Sequence, residues 1–166
     1  MDYRHEGRTI GRFAGLVAPV TDLDGDLVTA HVTYLQDGQK LSSHEPRKIL
    51  SKMTGRTGCA VRLMGTGETL GIAEGIETAL SAALIDSVPV WAALNTALLA
   101  KFEPPAGVHT LRIYADRDAP GLLAAGQLME RLQGRVHLEL RVPTSPHKDF
   151  NDQFRTRECG AGALHD

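Results

Sequence analysis

Apolar and polar positions alternate with a period of two in the first third of the chain. Val28, Ala30, Val32 and Tyr34 are interleaved with Thr29, His31 and Thr33, the pattern of a strand with one buried face. Residues 13–21 give a second strand candidate. Asp22-Leu23-Asp24-Gly25-Asp26 reads as the turn between them, with Gly25 free to take a positive φ, and Asp37-Gly38 marks the next reversal. Together these segments predict a small antiparallel, β-rich unit over residues 1–65.

The period changes after residue 66. Residues 69–73 form a short apolar strand, and the Ala- and Leu-rich run 76–86 predicts a helix. Residues 88–94 give another strand, and Asn95 suits the N-cap of a helix running to residue 102. A third strand covers 110–115. Leu122, Ala125, Leu128, Met129 and Leu132 then lie on one helical stripe, with Gly134 placed to end it. Val136, Leu138 and Leu140 make a fourth strand that Pro143 terminates. Strands alternating with helices at this spacing predict an α/β core, a parallel sheet with helices on both faces, over residues 66–166.

Composition narrows the choice of partner. The 166 residues are 42% hydrophobic and 23% charged, which excludes a wholly disordered chain. A net charge of −2 excludes a polyanion binder working through overall charge. Affinity for nucleic acid must therefore come from a local patch. The densest basic stretch is Arg47, Lys48, Lys52 and Arg56; a solvated surface is its plainer reading. No apolar run approaches the ~20 residues of a membrane span, and the opening residues lack the apolar stretch of a signal peptide. Cys59 and Cys159 form no Cys-x-x-Cys and join no histidine cluster of zinc spacing. They read as reduced thiols of a cytoplasmic protein without its own zinc site.

The acids fall in a telling place. In open parallel sheets ligands bind beyond the carboxyl ends of the strands. Glu74 follows the first core strand, Asp116 and Asp118 follow the third, and Asp149 and Asp152 follow the fourth. Residues i and i+2 of an extended segment point the same way, so Asp116 and Asp118 can address one point. Clustered carboxylates repel unless a cation sits among them, and oxygen-only ligands suit Mg²⁺ or Mn²⁺. Each acid also has a plainer use. Asp118-Ala119-Pro120-Gly121 is a good turn and helix start, Glu74 can complement a helix dipole, and Asp149 and Asp152 are ordinary loop acids. Glu77 reads as a dipole partner rather than a ligand, and Trp91 as core rather than a base-stacking surface.

Leu70-Gly71-Ile72-Ala73-Glu74-Gly75-Ile76-Glu77-Thr78-Ala79 resembles the glutamate motif of Toprim domains. Ile113-Tyr114-Ala115-Asp116-Arg117-Asp118-Ala119-Pro120-Gly121 resembles their Asp-x-Asp motif, and Lys148-Asp149-Phe150-Asn151-Asp152 is similar to the third acidic motif of primases and phage primase–helicases. The whole chain looks like Toprim proteins of phages and mobile elements, in which a small β-rich segment precedes the core. Arg47-Lys48-Ile49-Leu50-Ser51 is similar to the basic motif upstream of that core in bacterial primases. The sequence departs from the family in carrying no zinc-binding module, no helicase phosphate loop and no separate tyrosine domain for DNA breakage.

The resemblance implies a Toprim-like core performing metal-dependent nucleotidyl or phosphoryl transfer in DNA replication. Asp116, Asp118, Asp149 and, more weakly, Asp152 would hold Mg²⁺ or Mn²⁺, and Glu74 would act as general base or as a further metal ligand. Gly75 and Gly121 would admit close backbone approach. Arg47, Lys48, Lys52, Arg56, Arg117 and Lys148 would meet single-stranded DNA or nucleotides. A helicase or a zinc-module protein would be the partner. Two other classes use the same residues: a Toprim nuclease hydrolysing phosphodiesters, and a non-catalytic module that binds nucleic acid or a replication protein.

Overall fold

In the computed structural model, which describes residues 1–161 except 52 and 54, the chain opens with a hairpin that the sequence pattern does not announce. Its strands are β1 (Asp2–His5) and β2 (Arg8–Arg12). Glu6 and Gly7 turn between them at φ 49° and 79°, the positive pair of a tight two-residue reversal. The two expected strands follow as β3 (Ala14–Thr21) and β4 (Leu27–Gln36), paired antiparallel, with Gly25 at φ 90° in the connecting turn. Asp37 and Gly38 reverse the chain into β5 (Gln39–Lys40). β6 (Arg47–Ile49) then pairs with β4 on the same edge as β5.

That last strand divides the expected basic surface. Neighbouring side chains on a strand face opposite ways, so Arg47 and Lys48 part company. The Lys48 ammonium bonds the Arg4 carbonyl and lies 4.0 Å from the Tyr3 ring centroid, fastening the hairpin. Arg56 is engaged elsewhere, 2.7 Å from the buried Asp22 carboxylate. Lys52 lies outside the described residues. Among the described residues of this group, Arg47 alone lines the cleft described below.

The second part is a four-stranded parallel sheet. β7 (Thr69–Ala73), α1 (Ile76–Asp86), β8 (Val90–Ala92), α2 (Thr96–Ala100), β9 (Thr110–Tyr114), α3 (Ala119–Leu132), β10 (His137–Arg141) and α4 (Phe150–Ala161) follow in chain order. The strands lie in the order β10-β9-β7-β8. α1 and α4 pack together on one face, α2 and α3 on the other. Asn95 caps α2 as expected, accepting the Leu98 N–H at 2.9 Å. The strand expected over 88–94 is shorter, and Leu94 beyond it lies outside the extended region at φ 78°. Residues 149–152, read from sequence as a loop, enter α4: Asp149 Oδ1 accepts the Asp152 N–H at 2.7 Å and caps it. Among the described residues no helix is long and apolar enough to cross a membrane.

The two sheets share a core. Thr21 and Ala60 exchange backbone hydrogen bonds, Val61 does the same with Ala92, and Ala18 and Val20 of β3 pack with Ala73, Ile76 and Tyr114. Trp91 is buried, as expected, with its indole N–H donating to the Met64 carbonyl at 2.8 Å. Cys59 is a buried free thiol; the side chain of Cys159 lies outside the described part.

Gly71 shows how tightly β7 is held. A Cβ there would lie 2.6 Å from Val90 Cγ2 and 2.7 Å from Tyr114 Cε2. Gly71→Ala is expected to destabilise by ~1–3 kcal/mol in urea denaturation, the usual effect of overpacking. Gly126→Ala meets nothing within 4 Å on α3, so it should stabilise by roughly 1 kcal/mol through helix propensity. Equal effects of the two substitutions would contradict this packing.

Candidate active site

β7 hands the chain to α1 on one face, while its neighbour β9 hands it to α3 on the other. A crevice must open between their carboxyl ends, which is where parallel sheets bind ligands. Glu74 stands at the end of β7. Its backbone is fixed by the residues that follow β8, because the Ala93 and Leu94 amides donate to the Ala73 and Glu74 carbonyls at 2.8 and 2.7 Å. Asp116 and Asp118 stand at the end of β9. Asp118 caps α3, its Oδ1 accepting the Gly121 N–H at 2.7 Å. Gly121 is required here: a Cβ would lie 2.9 Å from the Asp116 carbonyl and 3.0 Å from Asp118 Oδ1. Gly75 is not required in this way. Its backbone is extended at φ −98° and its nearest neighbours to an added Cβ are 3.6 and 3.8 Å away.

The third acidic segment is tied to the second. The Arg117 amide donates to the Lys148 carbonyl at 2.7 Å, and the Arg117 guanidinium bonds the Pro143 carbonyl. This link brings Asp149 beside Asp116. The resulting cleft, about 170 Å³, has Glu74, Asp116 and Asp149 on one wall and Lys40 and Arg47 among its other lining groups. An adjoining cavity of about 400 Å³ is lined by Asp116, Arg117, Asp118, Lys148 and Asp149. Asp152 lines neither. Its Oδ2 accepts the Lys148 N–H at 3.3 Å and lies 3.4 Å from His147 Nδ1, so its place is in the cap of α4.

Burial and mutual repulsion both act on the acids. Burial pushes the Asp116 carboxyl up, and the charges of Glu74, Asp149 and Asp118 push it further, to about 6, with the Thr78 hydroxyl offsetting part of the rise. Burial also raises Glu74; Asp118 adds to this and Arg47 opposes it. Glu77 behaves differently. Burial would raise it, but the Lys40 ammonium, its own backbone N–H and Arg47 together hold it below the usual carboxylate range.

These residues fit a divalent cation, although they do not form a finished coordination shell. Among the described residues no three His, Cys, Asp or Glu side chains stand gathered around one point. Asp118 and Asp149 each turn one oxygen to a helix cap, leaving the other for a ligand. Asp116 Oδ1, however, is buried and accepts no hydrogen bond. A buried carboxylate oxygen without a partner is costly, and three further acids around it raise that cost. A hard, oxygen-seeking ion such as Mg²⁺ or Mn²⁺ relieves both penalties.

Sequence reasoning missed Lys40, Thr78 and Asn151, which also line the cleft. Thr78 stands four residues after Glu74 in the first turn of α1, a spacing that could have revealed it. Lys40 carries no such signal, since only the register of β5 brings it near.

A family model described as a Toprim domain matches residues 69–160, more than half of the chain. The chain belongs to the Toprim family. A second model, described as a domain of unknown function (DUF7146), matches residues 1–63. Among solved structures, the primase fragment of the bacteriophage T7 primase-helicase protein is 16% identical with a TM-score of 0.62, over 98% of this chain and 64% of that one. A DNA primase domain from Pseudomonas aeruginosa is 12% identical with a TM-score of 0.60, over 99% of this chain and 55% of that one. The DnaG primase catalytic domain bound to ssDNA is 12% identical with a TM-score of 0.57, over 90% and 50% respectively. This Toprim protein is therefore primase-like in fold, as its motifs implied, and spans between half and two thirds of the length of these structures. No curated protein matches it in sequence.

Proposed function

We propose that the cleft carries out metal-dependent nucleotidyl transfer, joining nucleotides on a single-stranded DNA template as a primase does, in replication of a phage or mobile element. The observation that carries this reading is the buried, unpartnered Asp116 Oδ1, on a carboxyl that burial and the charges of Glu74, Asp149 and Asp118 push up. Asp116 and the uncapped oxygens of Asp118 and Asp149 would hold Mg²⁺ or Mn²⁺. When bound, such an ion stabilises the charge that develops on phosphoryl oxygens. Asp152, engaged with the Lys148 amide and His147, is left out of this proposed set.

The chain's own residues supply the rest. Glu74 takes the proton of the attacking hydroxyl, and its raised pKa makes it a better base than an exposed carboxylate. Arg47 offers a planar fork of donors to a phosphate in the same cleft. Arg117 and Lys148 flank the adjoining cavity, where a strand's phosphates would lie. In this division of labour residues 1–65 contribute the basic wall and residues 66–166 the acidic one. A helicase and a zinc-binding module complete the proposal as partners, the phage relative being itself a primase-helicase.

The test is incubation with labelled nucleotides, single-stranded DNA and Mn²⁺. Template-dependent oligonucleotides are expected. Strand cleavage without nucleotides would replace this reading with hydrolysis, and DNA binding without either product would leave a non-catalytic module. Salt titration of DNA binding gives a further check. Arg47→Ala should reduce the slope of log affinity against log salt by about 0.7, the loss of one single-strand phosphate contact. Lys48→Ala should leave the slope unchanged, because its ammonium is engaged on Arg4 and Tyr3. The opposite ranking would place the strand along the hairpin.

A further inference from the structure

The acidic wall of the cleft is built on the parallel sheet and the basic wall on β5 and β6. At the back, the two are fastened by the Thr21–Ala60 and Val61–Ala92 backbone pairs and by the core that β3 shares with α1. At the front, His31 and Arg47 stand against Gly75, Glu77 and Leu94 across a narrow gap, and direct polar links are few. Among the described residues, the ion pair between Lys40 of β5 and Glu77 of α1 is the one salt bridge joining residues 1–63 to residues 69–160. No hydrogen bond recorded among the described residues ties 41–49 to the parallel sheet or its helices.

We propose that Lys40 and Glu77 form a positioning latch: their ion pair holds the β5–β6 wall, and with it Arg47, over Glu74 and Asp116. The proposal rests on the reading of the cleft as a nucleotidyl-transfer site and adds residues that act on that site without touching the reacting atoms. Three observations support it. Both partners line the cleft together with Arg47, Glu74 and Asp116. Both side chains are about two-fifths exposed, 41% and 38%, so the pair adds little to global stability. Its value must lie in geometry, because a cleft hinged at the back and open at the front needs a contact at the front to fix its width. β5 is only two residues long and follows the tight Asp37-Gly38 turn, so it has little of its own to hold it there.

The latch also keeps a charge in place. Glu77 stands three residues after Glu74, and without Lys40 it would add an unpaired carboxylate to a cleft already crowded with them. Lys40 thus closes the front of the cleft and pairs with an acid that is assigned neither to the metal nor to the proton.

The test compares wild type with Lys40→Glu, Glu77→Lys and the double charge swap, using the full chain. Hydrogen exchange read by mass spectrometry reports on residues 39–49, and nucleotide incorporation reports on the site. Each single reversal is expected to speed exchange across 39–49 and raise KM for nucleotide by ~5–10-fold, with the melting temperature within about 2 °C of wild type. The swap restores the pair with opposite sense and should recover most of both. Unchanged exchange and KM in the single variants would overturn the latch. So would single variants whose losses the swap fails to recover, since that marks side chains acting on the ligand themselves. If wild type makes no product, the nucleotidyl-transfer reading fails and exchange alone judges the latch.

Discussion

Glu74→Gln is expected to lower nucleotide incorporation by ~10²–10⁴-fold, the usual worth of a general base, while the folded protein is nearly unchanged. The substitution keeps the shape of the side chain and removes its ability to take a proton. The backbone at this position is held by the Leu94 amide, not by the carboxylate, so the end of β7 should stay where it is. Losing a carboxylate also lessens the repulsion on Asp116. Metal affinity should therefore fall far less than turnover does. Rapid-quench measurement at saturating Mn²⁺ separates the two effects. A Gln variant with full turnover would leave Glu74 as nothing more than an acid beside a helix N-terminus.

Asp116→Asn should abolish activity and yet stabilise the metal-free protein. The Asp116 pKa stands at about 6 in the fold, against an ordinary value of 3.8. A folded state that binds a proton more tightly than the unfolded state is favoured by acid. The wild type thus has its full stability below about pH 4, and loses part of it as pH rises through 6, by no more than about 3 kcal/mol and less where water reaches the half-buried group. Asn carries no charge, so the variant should not show this decline. Urea denaturation in EDTA at pH 4.5 and pH 7.5 is the measurement. A wild type and variant whose stabilities change in parallel would mean that Asp116 is not under the strain described.

Local chemistry explains why much of the core was legible. β7 and α1 fall where apolar period and composition put them, and Asp118 and Gly121 announce the start of α3 by cap and glycine. The acids at strand ends could be placed because parallel topology sends every carboxyl end to the same edge. What stayed hidden depends on contacts across the chain. The β1–β2 hairpin is largely polar and exposed, so it shows no buried face until Tyr3 meets Tyr34 and Phe13. β6 was read as a charged stretch because its two cations mask the strand, whose period sends Arg47 and Lys48 to opposite sides. α4 follows an acidic motif that looks like a loop until Asp149 is seen to cap it. Asp152 shares the motif and the strand end with Asp149, while its carboxylate lies 3.4 Å from His147 Nδ1 at the start of α4, an arrangement that only the helix reveals.

The account stands most directly on a Mn²⁺ titration followed by electron paramagnetic resonance, with wild type, Asp116→Asn, Asp118→Asn and Asp152→Asn side by side. Wild type should take up Mn²⁺, Asp116→Asn and Asp118→Asn should bind it at least ~10-fold more weakly, and Asp152→Asn should match wild type. Four proteins with the same affinity, or a loss confined to Asp152→Asn, would contradict the site built here from Asp116, Asp118 and Asp149.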